Sequence, residues 1–179
     1  VSTWPQTTGT VLSDAWEVYP VKAWDTQYVV PVGQNLFTTL GANYTDFAKT
    51  TIQVMSGTDG NSVTLKDGAA TTTVTLNRGQ AWYPSNIQTA GATVTGTSPI
   101  QVQIIAGDNA NTNQRYSMRG YTITPRQYWG TSYYAPAPSW PTGTTSGNAA
   151  NTDLFLFNPN PTAITVNYQT TIGSGSFTI

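Results

Sequence analysis

Glu17 is the only glutamate in the chain. With Asp14 or Asp25 it offers a carboxylate pair of the kind used in glycoside hydrolysis, and Asp14-Ala15-Trp16-Glu17 adds an aromatic platform. Catalysis has little else to draw on. The 179 residues include no histidine and no cysteine, so the commonest general base, the thiolate nucleophile and the usual zinc and copper ligands are missing. A serine nucleophile would need lysine as its base, and Ser-x-x-Lys does not occur. Acids near a domain entrance more often cap backbone or pair with cations, so the chain reads as noncatalytic and without a cofactor.

Other polar and aromatic groups admit a binding role, each beside a plainer one. Asp108-Asn109-Ala110-Asn111-Thr112-Asn113 places oxygen ligands at alternate positions, and Asp59-Gly60-Asn61 makes a second polar corner. Calcium sites usually gather several carboxylates and the first loop has one, so hairpin turns are favoured and no metal is expected. Tyr128, Trp129, Tyr133, Tyr134 and Trp140 stand among Pro and Gly, where their rings can form a flat stacking surface for glycans. The alternative is that they fill a seam between two modules. Asn43-Tyr44-Thr45 is an acceptor sequon, useful only in a chain secreted by a cell that glycosylates asparagine. Arg115 and Arg119 beside Asp108 suggest a structural link to its carboxylate.

The elements that must hold these groups are strands. Thr51-Ile52-Gln53-Val54, Ser62-Val63-Thr64-Leu65, Thr73-Val74-Thr75-Leu76 and Ile100-Gln101-Val102-Gln103-Ile104 alternate apolar with polar residues, the pattern of half-buried antiparallel strands. Turn signals fall at short intervals: Asp59-Gly60, Asp67-Gly68, Asn77-Arg78-Gly79, Gly96 before Ser98-Pro99, and Gly107-Asp108-Asn109. An all-β, antiparallel, immunoglobulin-like β-sandwich follows. Leu154-Phe155-Leu156-Phe157 is apolar at both parities and reads as a strand with one face awaiting a partner, ended by Asn158-Pro159-Asn160-Pro161.

The stretch around Trp24 returns late in the chain. Trp24, Tyr28 and Pro31 find counterparts in Trp129, Tyr133 and Pro136 at one offset of 105 residues (129 − 24). Downstream, Ile52 and Val54 match Leu154 and Leu156, Val63 and Leu65 match Ile164 and Val166, and Val74 and Leu76 match Phe177 and Ile179. The chain therefore reads as an N-terminal arm over 1–13, a β-sandwich module over 14–127, and a linker with a partial second β module over 128–179. Pro136 to Asn151 is the linker, and the arm either lies on the body or reaches a neighbour. A half module leaves strand edges and apolar side chains unpaired, which marks Leu154, Phe155, Leu156, Phe157, Phe177 and Ile179 as interaction residues.

Composition points to the compartment. Charged residues make up 8% of the chain, yet six Trp, ten Tyr and many β-branched residues argue against disorder. A surface of Thr, Ser, Asn, Gln and Gly suits an extracellular or cell-surface structural protein. Net charge is −1 and the seven cationic residues are scattered, which speaks against nucleic acid and acidic membrane surfaces as partners. No apolar run approaches the ~18 residues of a membrane span, so no membrane insertion is expected in this region.

The series Trp24…Tyr28-Val29-Val30-Pro31, Thr73-Val74-Thr75-Leu76-Asn77-Arg78-Gly79-Gln80, Ser98-Pro99-Ile100-Gln101-Val102 and Thr124-Pro125…Trp129…Tyr133 resembles the N-terminal extracellular β modules of IgG Fc-binding protein and its bacterial cell-surface relatives. The resemblance covers most of residues 14–140. It implies a β-rich module of long repetitive surface proteins linked to adhesion, mucus or matrix, and it implies no reaction. The expected function is a noncatalytic structural or adhesive one, with modules joined by β-strand pairing in a long surface protein or filament. Its expected partners are copies of itself or further modules of the same polypeptide; the alternative is a carbohydrate-binding module, with glycans as partners.

Overall fold

A computed structural model describes residues 17–33, 50–84, 87, 89–105, 120–135, 156–170 and 173–179, and the backbone alone of 2–3, 6–7, 10–11, 14–15, 106 and 119. The chain forms two compact units, Val1–Trp129 and Gly130–Ile179. No helix among the described residues is long and apolar enough to cross a membrane.

Unit 1 opens with four two-residue strands, β1 (Ser2–Thr3), β2 (Gln6–Thr7), β3 (Thr10–Val11) and β4 (Asp14–Ala15). β1 pairs with β4, and β2 with β3, all antiparallel. The pairing thus ties the expected arm over 1–13 to Asp14–Ala15, with the β2–β3 pair lying between β1 and β4 in sequence. Just beyond it, the Glu17 carbonyl accepts a hydrogen bond from the Thr122 hydroxyl.

The body comprises β5 (Asp25–Val30), β6 (Thr50–Ser56), β7 (Asn61–Asp67), β8 (Ala70–Leu76), β9 (Ala81–Trp82), β10 (Ala92–Ala106) and β11 (Arg119–Thr122). The 15-residue β10 organises it. Its first half pairs with β5 and β7, its second half with β6 and β11, always antiparallel. Ile100 pairs with both Asp25 and Ser56, so β5 and β6 lie on opposite edges of β10. β7 then shares the β6 edge, and β11 the β5 edge. Two half-sheets result, β8-β7-β10-β5 and β9-β6-β10-β11, joined through one strand.

Both halves face a single core. Val94, Val102 and Ile104 of β10 are buried in one cluster with Tyr28, Ile52, Val54, Val63, Leu65 and Leu76. One core beneath both halves requires the sheet to curl over into a barrel-like form. Alternation drives the closure: Thr and Gln point one way, and each fully buried Val or Ile on the other face contributes about 1.5–3 kcal/mol.

Gly96 and Ser98-Pro99 lead the sequence reading to a turn there, but β10 continues through them as one strand. The register against β5 shifts between Thr95 and Ile100, which marks an irregularity rather than a reversal. Pro99 has no N–H to leave unpaired, and so it is tolerated at such a point. A Cβ at Gly96 would lie 2.6 Å from the Ser98 carbonyl oxygen, so the bend requires glycine. Asn61, 1% exposed, holds the bend from β7. Its amide nitrogen donates to the Ser98 carbonyl (3.0 Å) and to Ser56 Oγ (3.1 Å), while its Oδ1 accepts from Ser98 N–H (3.0 Å) and the Thr97 hydroxyl (3.1 Å).

Unit 2 contains the antiparallel hairpin β12 (Thr165–Thr170) and β13 (Gly173–Thr178). Ile164 and Ile179 extend it, exchanging two N–H···O bonds of 2.9 and 3.0 Å. The strand expected at Leu154–Phe157 is not present over Leu156 and Phe157, because that segment joins no ladder among the described residues. Leu154 and Phe155 lie outside the described residues. The turn after it forms as its prolines require: Asn158 Oδ1 accepts from Asn160 N–H (3.0 Å), and its amide nitrogen donates to the carbonyls of Thr162 (2.9 Å) and Ile179 (3.2 Å).

Candidate interaction surface

Two short segments share one local structure. Pro20 and Pro125, with φ of −64° and −53°, each start a 3₁₀ turn, Val21–Ala23 and Arg126–Tyr128, that ends at Trp24 and Trp129. Each indole N–H donates over 3.0 Å to the carbonyl five residues earlier, Trp24 to Tyr19 and Trp129 to Thr124. The likeness extends to the next tyrosine. Asp25 N–H donates to the Tyr28 hydroxyl (3.2 Å), and Gly130 N–H donates to the Tyr133 hydroxyl (2.7 Å).

The environments of these tyrosines differ. Tyr28 is buried, and its hydroxyl donates to the Ile100 carbonyl at 2.7 Å. Burial is the main reason its pKa is pushed up to about 12. Tyr133 is 68% exposed. Of the other expected glycan-stacking residues, Tyr128 and Tyr134 are exposed and Trp129 is exposed in part, with its indole N–H engaged by Thr124. Trp140 lies outside the described residues.

The two hairpins can be compared through their closing pairs. Asp67 pairs with Ala70 and Thr170 with Gly173, an offset of 103 residues (170 − 67). At that offset Val63↔Val74 corresponds to Val166↔Phe177, Leu65 to Tyr168, and Leu76 to Ile179. The residue likeness alone placed Val63 and Leu65 against Ile164 and Val166, two positions earlier. A slip of two leaves the in/out pattern of a strand unchanged, so alternation cannot detect it.

Burial separates the pair. Val63, Leu65 and Leu76 lie in the core, whereas Ile164 (40%), Tyr168 (48%), Phe177 (42%) and Leu156 (41%) are exposed, with Phe157 and Ile179 between these extremes. Tyr168 lies across Gly175 and against Phe177, ring centroids 6.2 Å apart. Because Ile164 and Ile179 form a hydrogen-bonded pair, the N–H and C=O groups of Thr165, Asn167 and Gln169 point to the opposite edge of β12. Within unit 2, β13 is the only strand paired with β12 among the described residues. Residues 154–179 contain no Asp, Glu, Lys or Arg. Sequence reasoning passed over Tyr168 and this edge, although the Ile164-Val166-Tyr168 alternation signals them.

The candidate polar sites are absorbed by local structure or fall elsewhere. Asp25 Oδ1 accepts from Thr26 N–H at 2.6 Å, and Glu17 is exposed. Asp59 Oδ1 accepts from Arg78 N–H, and Asn77 Oδ1 from Gly60 N–H, both at 3.0 Å, tying one turn to the next. Asn43, Asp108–Asn113, Arg115 and the side chains of Asp14 and Arg119 lie outside what is described.

A curled antiparallel sheet followed by an uncharged hairpin with an apolar face defines an all-β module. The chain belongs to the IgGFc binding protein family, whose model matches residues 14–179. No curated protein and no solved structure matches it.

Proposed function

We propose that this protein is a noncatalytic extracellular module with a structural or adhesive role, joined to other β modules by strand pairing within a long surface protein or filament. The carrying observation is the β12–β13 hairpin, which has the form of β7–β8 but an exposed apolar face. Family membership supports the extracellular setting and a binding role. The family description names IgG Fc, which places an Fc fragment among the partners to be tried.

The matched Pro–Trp turns support reading residues 128–179 as the start of a second module, after an arm over 1–13 and a module over 14–127. The bend at Gly96–Pro99, which sets two half-sheets over one core, supports an immunoglobulin-like sandwich as the finer fold class. The lack of His and Cys favours a noncatalytic role; turnover that depends on Glu17 would contradict it.

Cell-impermeant biotinylation of native cells, reading the exposed Lys22 and Lys66, combined with sedimentation over a concentration series, tests the proposal. Labelling and concentration-dependent association, with itself or with tandem family modules, is expected. Protection from the label together with an inert monomer would overturn it.

A glycan-binding role is the second reading, favoured by Tyr134 at 97% exposure beside exposed Tyr133. Retention on a glycan array that is lost in Tyr134→Ala, with folding intact, would select it.

A further inference from the structure

We infer that β12 is an acceptor edge for one more antiparallel strand, of the same chemistry as the first half of β10 and supplied by another family module. The inference rests on the strand-pairing reading above and gives it a place and an occupant. In unit 1, Thr93-Val94-Thr95-Gly96 runs antiparallel along Lys66-Leu65-Thr64-Val63. Ser62 N–H reaches the same neighbour, donating to the Thr97 hydroxyl at 3.1 Å. At the hairpin offset, the equivalents of Ser62, Thr64 and Lys66 are Thr165, Asn167 and Gln169, the residues whose backbone groups point away from β13.

The occupant's chemistry follows from this internal template. A β-branched apolar residue belongs opposite Tyr168, where Val94 stands opposite Leu65; threonines flank it, and glycine falls opposite Val166. Such a strand gains ladder hydrogen bonds and sets an apolar side chain beside the exposed ring of Tyr168, the two sources of affinity in strand addition. No Lys, Pro or other edge guard lies within β12 to oppose it. Among the described residues no strand pairs with the outer edge of β8 either, but Leu76 is already buried and Val74 packs against the core. A strand added at β8 would gain the ladder without the apolar contact. The absence of charge over 154–179 makes the association insensitive to salt.

The test uses the full chain, ¹⁵N-labelled, and a synthetic peptide with the sequence of residues 90–98. Saturable binding is expected, with amide exchange at Thr165, Asn167 and Gln169 slowed by about tenfold or more and that at Thr71, Thr73 and Thr75 of β8 unchanged. A peptide carrying Thr95→Pro, which loses the N–H that pairs toward the acceptor, should not bind. Asn167→Pro in the chain removes an edge N–H that β13 does not use. It should abolish binding while the Tyr168–Phe177 ring contact, read by nuclear Overhauser effects, persists. Absence of binding, equal binding of the proline peptide, or protection at β8 instead would overturn the inference, as would β12 amides already protected by a second copy without peptide. If the peptide fails while the chain still associates, β12 is ruled out and the general strand-pairing reading stands.

Discussion

Asn61 and Tyr28 show how single polar groups fix the shape of unit 1. The four hydrogen bonds of the Asn61 side chain satisfy both backbone groups of Ser98 at the bend in β10. Asn61→Ala leaves these part-buried groups without their partners, and urea unfolding should show a loss of about 2 kcal/mol. Tyr28 gives a pH signature. Its folded pKa of about 12 stands above the ordinary 10.0, so as pH rises past 10 the unfolded chain releases the proton first. This stabilising contribution is complete below pH 10 and is lost as pH rises through 12. Unfolding titrations should show that decline, and Tyr28→Phe should flatten it. Neither role was legible in the sequence: Asn61 looked like part of a polar corner, while its partners at Ser98 stand 37 residues away, a distance that no local pattern spans.

At the scale of elements, alternation made four of the seven body strands of unit 1 legible and hid how they join. The strands at Thr51–Val54, Ser62–Leu65, Thr73–Leu76 and Ile100–Ile104 lie within β6, β7, β8 and β10. Gly96 and Pro99 carry turn chemistry, but the cross-chain support of Asn61 turns them into a bend within one strand. The match for the first hairpin strand was out by two residues, while Val74 and Leu76 against Phe177 and Ile179 was in register; the slip has the cause that makes strands readable at all, their period of two. The aromatic recurrence was legible as residues; its content, two Pro–Trp turns with the same hydrogen bonds, needed coordinates. Gly96→Val should cost about 2 kcal/mol or more, since its Cβ would meet the Ser98 carbonyl at 2.6 Å. Thermal unfolding would reveal this as a lower Tm, and a Gly173→Val control, where nothing lies within 4 Å of the added Cβ, should shift it less.

Over the whole molecule, the two units differ in what they bury. Unit 1 closes a curled sheet over one core, whereas the described strands of unit 2 form a two-stranded hairpin, a structure of marginal stability by itself. Heating should therefore give a cooperative transition for the Trp and Tyr signals of unit 1, with the Tyr168–Phe177 contact of unit 2 lost at lower temperature. Unit 1 is thus self-sufficient, while β12 keeps an edge for a partner. Residue-resolved amide exchange on the free full-length chain tests this most directly. Protection by orders of magnitude is expected within β10 and β6, and near-unprotected exchange at Thr165, Asn167 and Gln169. Equal protection of those three amides and of β10 in the isolated chain would contradict it.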